Sequence, residues 1–379
     1  MVEIRRGCAE DYATILERVV VSFRERNPAH LRFEDIFPDS VLPETVSQWR
    51  LAWVDGDLAA GIQLVPRDMV NAGAVHLPTL GLGNVFCFPP YRKRGLMGAL
   101  LERCIADMEA EGAGICLLGG DRTRYGNYGW EHAGCERSLT LTSGVTRFES
   151  AEAISAASLR VWNGDEADLG RILAAYAALP YRCERSAAEC ARVLRRPGQV
   201  VWICDWPETG FGYASIRSGS IVEYGGTAAA VECLVRFLLQ TGSWNVAIPP
   251  VDAETALEKV LLRHAQSYFV RPAGMIRVID LRVVLESYLP VLRDRLQAWS
   301  GEVALRSTDN GSTVRLVGEA GSLRVEAVPS DATALELPRR ELAQLLFGPF
   351  TPDLGDWGRH SALRRAFPLP FYCHALAHV

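Results

Sequence analysis

With 379 residues, 49% of them hydrophobic and 22% charged, the chain has material for two or three packed domains and lacks the charge excess of a disordered protein. A formal net charge of −5, with short basic runs and no interleaved aromatics, gives no electrostatic basis for nucleic acid as a partner and suits a small cationic ligand slightly better. No apolar leader follows Met1 and no run approaches about 18 apolar residues, so neither N-terminal export nor a membrane span is expected; ten scattered cysteines without Cys-x-x-Cys or His-x-Cys spacing point to a reducing cytoplasm and no metal.

In chain order, residues 2–6 read as a strand, and Asp11 to Phe23 carry Tyr12, Ile15, Leu16, Val19, Val20 and Phe23 at helical spacing. Strand-like runs at 48–54 and 58–67 flank Asp55-Gly56-Asp57, a hairpin signal. Residues 75–82 lead into a strand at Val85 to Phe88, which stops at Pro89-Pro90. A helix is expected from about Lys93 to Ala110, then a Gly112-Ala113-Gly114 break and a buried strand at 115–118. This order describes a mixed α/β sheet in which Val85 to Phe88 lies beside Ile115 to Leu118.

Between strand and helix lie Arg92, Lys93, Arg94 and Gly95, followed by Leu96, Met97 and Gly98. The first N–H groups of a helix lack intrahelical partners and sit at the positive end of its dipole, so such a turn captures anions. Gly95 and Gly98 allow close backbone approach and the three cations add charge, which suits a diphosphate. The competing reading is a solvated basic helix start.

A second informative stretch, Gly119 to Trp130, sets glycines around Tyr125 and Tyr128 at the end of a strand, where α/β sheets place chemistry. A tyrosine hydroxyl presented this way can give up a proton as a general acid, and Tyr125 is the candidate. Packing at a turn is the alternative for Tyr125 and the preferred reading of Tyr128.

Val85-x-Cys87-x-Pro89-x-x-Arg92-x-x-Gly95 resembles the acetyl-CoA signature of the GNAT acyltransferase superfamily, and Arg-Lys-Arg-Gly-Leu-Met-x-Ala-Leu is similar to the enhanced intracellular survival (Eis) family, which acetylates amines, including those of aminoglycosides. Met97 departs from the small residue common there. The resemblance implies that Arg92, Lys93, Arg94, Gly95, Leu96, Met97 and Gly98 hold the pyrophosphate of coenzyme A. It implies that Val85, Phe86 and Cys87 pair with pantetheine, and that an N–H near Cys87 polarises the thioester carbonyl. It further implies that Gly120 and Asp121 lie near the pantetheine and acetyl end, and that Tyr125 is the general acid. Cys87 also offers a thiol for a covalent route.

Residues 137–141 read as the last strand of a first unit, 1–145. Residues 146–280 repeat a similar order of strands and helices, but the expected coenzyme turn is replaced by Val222-Glu223-Tyr224-Gly225-Gly226-Thr227, where Glu223 repels a pyrophosphate. This unit reads as a degenerate GNAT-like domain. Residues 281–379 begin with a helix over 281–292 and continue as an α+β unit resembling the sterol-carrier-like domain that closes Eis-family chains; a packing role is favoured over lipid binding.

The apolar segment 371–379 is expected to dock. The resemblance implies that the carboxylate of Val379 enters the active site and accepts the amine proton, with His374 and His378 as alternative bases. Glu25, Glu34 and Asp35 are candidates for lining a cationic pocket, and the remaining histidines show no metal spacing.

Together these readings describe an acetyl-CoA-dependent N-acetyltransferase acting on a primary amine of a small cationic acceptor, aminoglycoside-like or polyamine-like, or on a lysine. A non-catalytic acyl-CoA sensor and a lipid or small-ligand binding protein are the alternatives. The resemblance also implies a homo-oligomer, with a hexamer as one form.

Overall fold

The computed structural model describes residues 1–24, 37–38, 41–146, 158–206, 210–250, 255–319, 321–355 and 357–377. Three sheets organise them. The first runs, in spatial order, Val2–Arg6, Trp49–Val54, Asp57–Asn71, Val75–Cys87, Ile115–Leu118, Gly274–Val278 and Glu131–Ala133, with Arg182–Cys183 added to the edge of Asp57–Asn71. Strands Val75–Cys87 and Ile115–Leu118 are parallel, as the expected strand–helix–strand order requires. Residues 75–82 and 85–87, read as two segments, form the one strand Val75–Cys87, and Phe88 lies just past its end.

Helix Tyr12–Arg24 covers one face of this sheet through Ile15 and Val19, packed with Trp49, Leu51 and Phe86. Helix Leu96–Ala110 covers the other through Leu100, Leu101, Cys104 and Met108. The Asp55-Gly56 turn takes positive φ at both residues, the type I′ geometry its sequence signals.

The second sheet runs Ala265–Arg271, Glu136–Leu141, Trp244–Ile248, Ser220–Gly226, Gly210–Arg217, Val200–Trp206 and Ser158–Val161. Its plan repeats the first, but the two sheets exchange a strand. Glu136–Leu141, read as the last strand of the first unit, pairs in the second sheet, and Gly274–Val278 from the second unit pairs in the first, between Ile115–Leu118 and Glu131–Ala133. A cut near 145 therefore separates neither sheet. Glu223 is fully buried, accepting from Arg185 (2.7 Å) and the Tyr213 hydroxyl (3.1 Å), so this strand is neutralised from within.

The third unit has a four-stranded sheet, Ser322–Val328, Thr313–Glu319, Gly301–Ser307 and Leu335–Leu337. The helix expected over 281–292 is two, Leu281–Ser287 and Leu289–Arg295, because Pro290 cannot donate a helical N–H and restricts the residue before it. The core of this unit continues into the first sheet, joining Leu305, Leu316 and Leu346 to Met69, Leu77 and Ile115. No helix among the described residues is long and apolar enough to cross a membrane.

Candidate active site

The site begins at a flaw in the first sheet. Gly61 faces Phe86 and Gln63 faces Gly83, so Ile62 alone opposes Asn84 and Val85: strand Val75–Cys87 carries a bulge there. Asn84 takes φ +50°, a conformation asparagine tolerates better than most residues. Its Nδ2 donates to Gln63 Oε1 (2.6 Å), and Gln63 Nε2 donates to half-buried Gln48 Oε1 (3.0 Å), so an amide chain rooted in buried Asn84 and Gln63 holds the bulge. The sequence reading did not single out Asn84 or Gln63; a polar pair at two strand-interior positions was the available signal.

Parallel pairing with Ile115–Leu118 is confined to Thr79, Leu80 and Gly81. Beyond the bulge the strands part and a cleft opens. One lobe, about 400 Å³, is lined by Asn84, Val85, Leu118, Gly120, Asp121 and Tyr125. The other, about 330 Å³, is lined by Val85, Phe86, Cys87, Arg92, Met97 and Arg124. Val85 and Arg124 belong to both, so the lobes adjoin.

Phe88 N–H donates to the Ala59 carbonyl (2.8 Å), so strand alternation turns the Cys87 N–H and C=O to the opposite, parted edge. There the Cys87 carbonyl accepts from Arg92 Nε (3.2 Å). Burial raises the Cys87 thiol above its usual value against the opposing pull of Arg92, which disfavours the thiolate a covalent route requires.

At the helix start Lys93 and Gly95 both take positive φ (+63° and +77°), and the first intrahelical bond runs from Ala99 N–H to Gly95 C=O (3.2 Å). The N–H groups of Leu96, Met97 and Gly98 thus lack intrahelical acceptors, and no side chain caps them. Arg92, Lys93 and Arg94 are exposed around this concavity. The donor set fits a diphosphate. Leu96 offers only backbone, its side chain being in the core, and Gly98 lies beneath the Tyr128 hydroxyl, 2.9 Å from where a β-carbon would stand.

Tyr125 ends a single helical turn, Arg122–Tyr125, whose N-cap is Asp121; the Asp121 carboxylate accepts from Arg124 N–H (3.1 Å) and the Thr123 hydroxyl, which lower its pKa. The Tyr125 ring is buried against Trp130, edge to face at 6.3 Å, and borders the cleft. Sequence reasoning also missed the clamps on this loop. Arg277 donates to the Tyr128 carbonyl, and Arg122 and Arg340 both pair with buried Glu131 (2.9 and 2.6 Å). These clamps come from the exchanged strand and the third unit, so all three units fix the loop that holds Tyr125.

The C-terminal segment threads between the units. Tyr372 Oη donates to the Ala247 carbonyl (2.9 Å), and Arg67 Nε donates to the Ala377 carbonyl (3.2 Å). His374 is buried among Tyr176, Tyr224 and Tyr372 with Nε2 on the Tyr181 carbonyl (3.0 Å), so it anchors the segment and is not placed as a base. Val379, His378, Glu25, Glu34 and Asp35 lie outside the described residues. No cluster of metal-binding groups occurs among the described residues.

The sequence profile of the acetyltransferase (GNAT) domain matches residues 3–133. No curated protein sequence matches the chain. Among solved structures, a conserved protein of unknown function from Enterococcus faecalis superposes with a TM-score of 0.74 at 18% identity, covering 99% of each chain. A GCN5-related N-acetyltransferase from Anabaena variabilis gives 0.70 at 15% over 100% of each. Eis1 from Mycobacterium abscessus gives 0.64 at 14% over 97% of this chain and 96% of that one. The parted strands and the basic turn both lie within the residues that the acetyltransferase (GNAT) domain profile matches, and the chain shares its fold with these solved structures over nearly its whole length.

Proposed function

We propose that the protein transfers acetyl from acetyl-CoA directly to a primary amine of a small cationic acceptor, aminoglycoside-like or polyamine-like, or of a lysine. One observation carries this reading: the donor-rich turn at Arg92 to Gly98 and the Tyr125 loop border the same cleft, opened by the bulge at Asn84.

In this reading acetyl-CoA brings the activated acyl group. The N–H groups of Leu96, Met97 and Gly98, with Arg92, Lys93 and Arg94, hold its diphosphate. The Cys87 N–H donates to the carbonyl oxygen and favours the charge that develops there as the amine nitrogen attacks. As the C–N bond forms and the C–S bond breaks, Tyr125 gives its proton to sulfur, and the carboxylate of Val379 takes the proton lost by nitrogen. The half-buried, upshifted Cys87 thiol favours this direct route over an acyl-cysteine.

The test is release of coenzyme A thiol when the purified chain receives acetyl-CoA with amine acceptors, alongside calorimetry of coenzyme A binding. Absence of both overturns the reading. Binding without release, unchanged by Tyr125→Phe, supports an acyl-CoA sensor instead. Ten free cysteines fit a reducing cytoplasm. Self-association, up to a hexamer, is supported by exposed Tyr268, Phe269 and Val270 on the edge strand of the second sheet, and light scattering tests it.

A further inference from the structure

A second cleft, about 440 Å³, opens where strand Asp57–Asn71 loses its neighbour. Trp49–Val54 pairs with it only as far as Gln63, and Arg182–Cys183 joins only at Met69 and Val70. Alternation puts Gln63, Val65 and Arg67 on one face of the strand. Gln63 braces the bulge at Asn84, while Arg67 lines the second cleft, about 13 Å further along at the rise of an extended chain. Gln48, at the far end of the amide chain from Asn84, lines this cleft too. The amide chain Gln48, Gln63 and Asn84 thus runs from the second cleft to the first.

The charges of the cleft indicate what its distal end is. Many are already matched: Glu184 takes Arg182 (2.6 Å), Arg185 takes buried Glu223 (2.7 Å), and Glu189 accepts from the N–H (2.8 Å) and hydroxyl (2.6 Å) of Ser186 at a helix start. Arg67 is engaged with the Ala377 carbonyl. Arg192 is half-buried beside Glu189, whose carboxyl it helps to lower, and its Nε is sealed from solvent with no acceptor among the described residues. Asp68 and Glu44 stand exposed on the rim. The lining thus carries both signs, Glu44, Asp68, Glu184 and Glu189 beside Arg67, Arg185 and Arg192, and a chain with an amine at one end and a carboxylate at the other finds matching charge for each.

Resting on the acetyltransferase reading, we propose that this cleft seats the distal carboxylate of the acceptor on Arg192, so that the substrate is zwitterionic, of the amino-acid or short-peptide class. Asp68 and Glu44 steer the ammonium end inward. This narrows the acceptor away from polyamines and aminoglycosides.

The experiment compares one lysine-containing dipeptide as free acid and as C-terminal amide, with a polyamine and an aminoglycoside, on the full chain at saturating acetyl-CoA. The free acid is expected to have about tenfold higher kcat/KM than the amide, since one charge-assisted contact distinguishes them. Arg192→Gln is expected to erase that difference by raising KM for the acid alone, leaving kcat and the KM for acetyl-CoA unchanged; Arg192→Lys restores part of it. Equal use of acid and amide, preference for the polyamine or aminoglycoside, or an equal loss on both peptides with Arg192→Gln overturns the proposal while leaving the acetyltransferase reading intact. Where thiol release is absent, calorimetry of acid against amide on the coenzyme A-loaded protein gives the same discrimination, and equal binding overturns it. No coenzyme A binding and no release removes both readings.

Discussion

Gly120 lies against the ring of Tyr125 so closely that a β-carbon on it would stand 2.6 Å from Cε2 and 2.7 Å from Cδ2. The ring is wedged between this glycine and Trp130, so it cannot retreat without disturbing the core. Gly120→Ala is therefore expected to displace Tyr125 and lower kcat roughly 10- to 100-fold, as misplacement of about an ångström does. Gly98→Ala meets only the tip of the Tyr128 side chain and is expected to lose less than about threefold, a small rotation relieving the contact. Steady-state acetylation by the two variants checks the contrast, and equal losses refute it.

Tyr125→Phe keeps the packing and removes the proton. If the hydroxyl is the general acid, kcat falls about 10²- to 10⁴-fold, while coenzyme A binding by calorimetry stays unchanged because the turn at Arg92 to Gly98 is separate from the phenol. A variant that turns over normally would exclude Tyr125 from the chemistry.

Arg340 belongs to the third unit yet reaches Glu131 beside the Tyr125 loop. Arg340→Gln leaves Glu131 with Arg122 and the His132 N–H, so a loss of about 1–2 kcal/mol is expected, together with reduced kcat from a looser loop. Arg306→Gln, on an exposed pair with Glu336, serves as a control expected to be silent. Thermal denaturation and kinetics of both variants separate a coupled third unit from an independent one.

Asp11 accepts from both guanidinium nitrogens of Arg5 (2.6 and 2.8 Å) and from the Cys8 N–H, and the Arg5 hydrogen bonds above all hold its carboxyl at about 2. An unfolded aspartate titrates near about 4. The folded value is the lower one, so this stabilisation is complete above about pH 4 and disappears as pH falls through about 2. Asp11→Asn is expected to be less stable at neutral pH by about 1–3 kcal/mol, with the gap to the unaltered protein closing below about pH 4. Denaturant titrations across that range decide it, and a gap independent of pH refutes it.

Extension of the chain beyond Val379 by a short tag blocks a carboxylate there from taking the amine proton. A fall in kcat of at least about tenfold is expected, in keeping with loss of a general base, and a tagged protein of normal turnover removes Val379 from the proposed mechanism.

Much of the site was legible because it depends on local chemistry. The basic turn, its glycines and the helix it opens are contiguous, and orphan N–H groups arise at any helix start. Ser186 with Glu189 and Thr255 with Glu258 are local in the same way, each pair closing a capping box at the start of its helix. Less legible were residues whose role comes from a partner far along the chain. Asn84 and Gln63 look like ordinary polar residues until the bulge places them together, and Glu131 gains its meaning from Arg340, 209 residues away.

The sequence by itself determined most of the strands and helices of the first unit, the helix start with orphan N–H groups beside three basic residues at Arg92 to Gly98, and the presence of a phenol in a glycine-rich loop, since periodicity and turn chemistry act over a few residues. Only the tertiary structure decided that Glu136–Leu141 and Gly274–Val278 change places, that His374 is an anchor, and that Tyr125 and the turn border one cleft. Strand partners are chosen by burial and edge pairing between distant segments, and a run of alternating apolar residues carries no label for the sheet it joins.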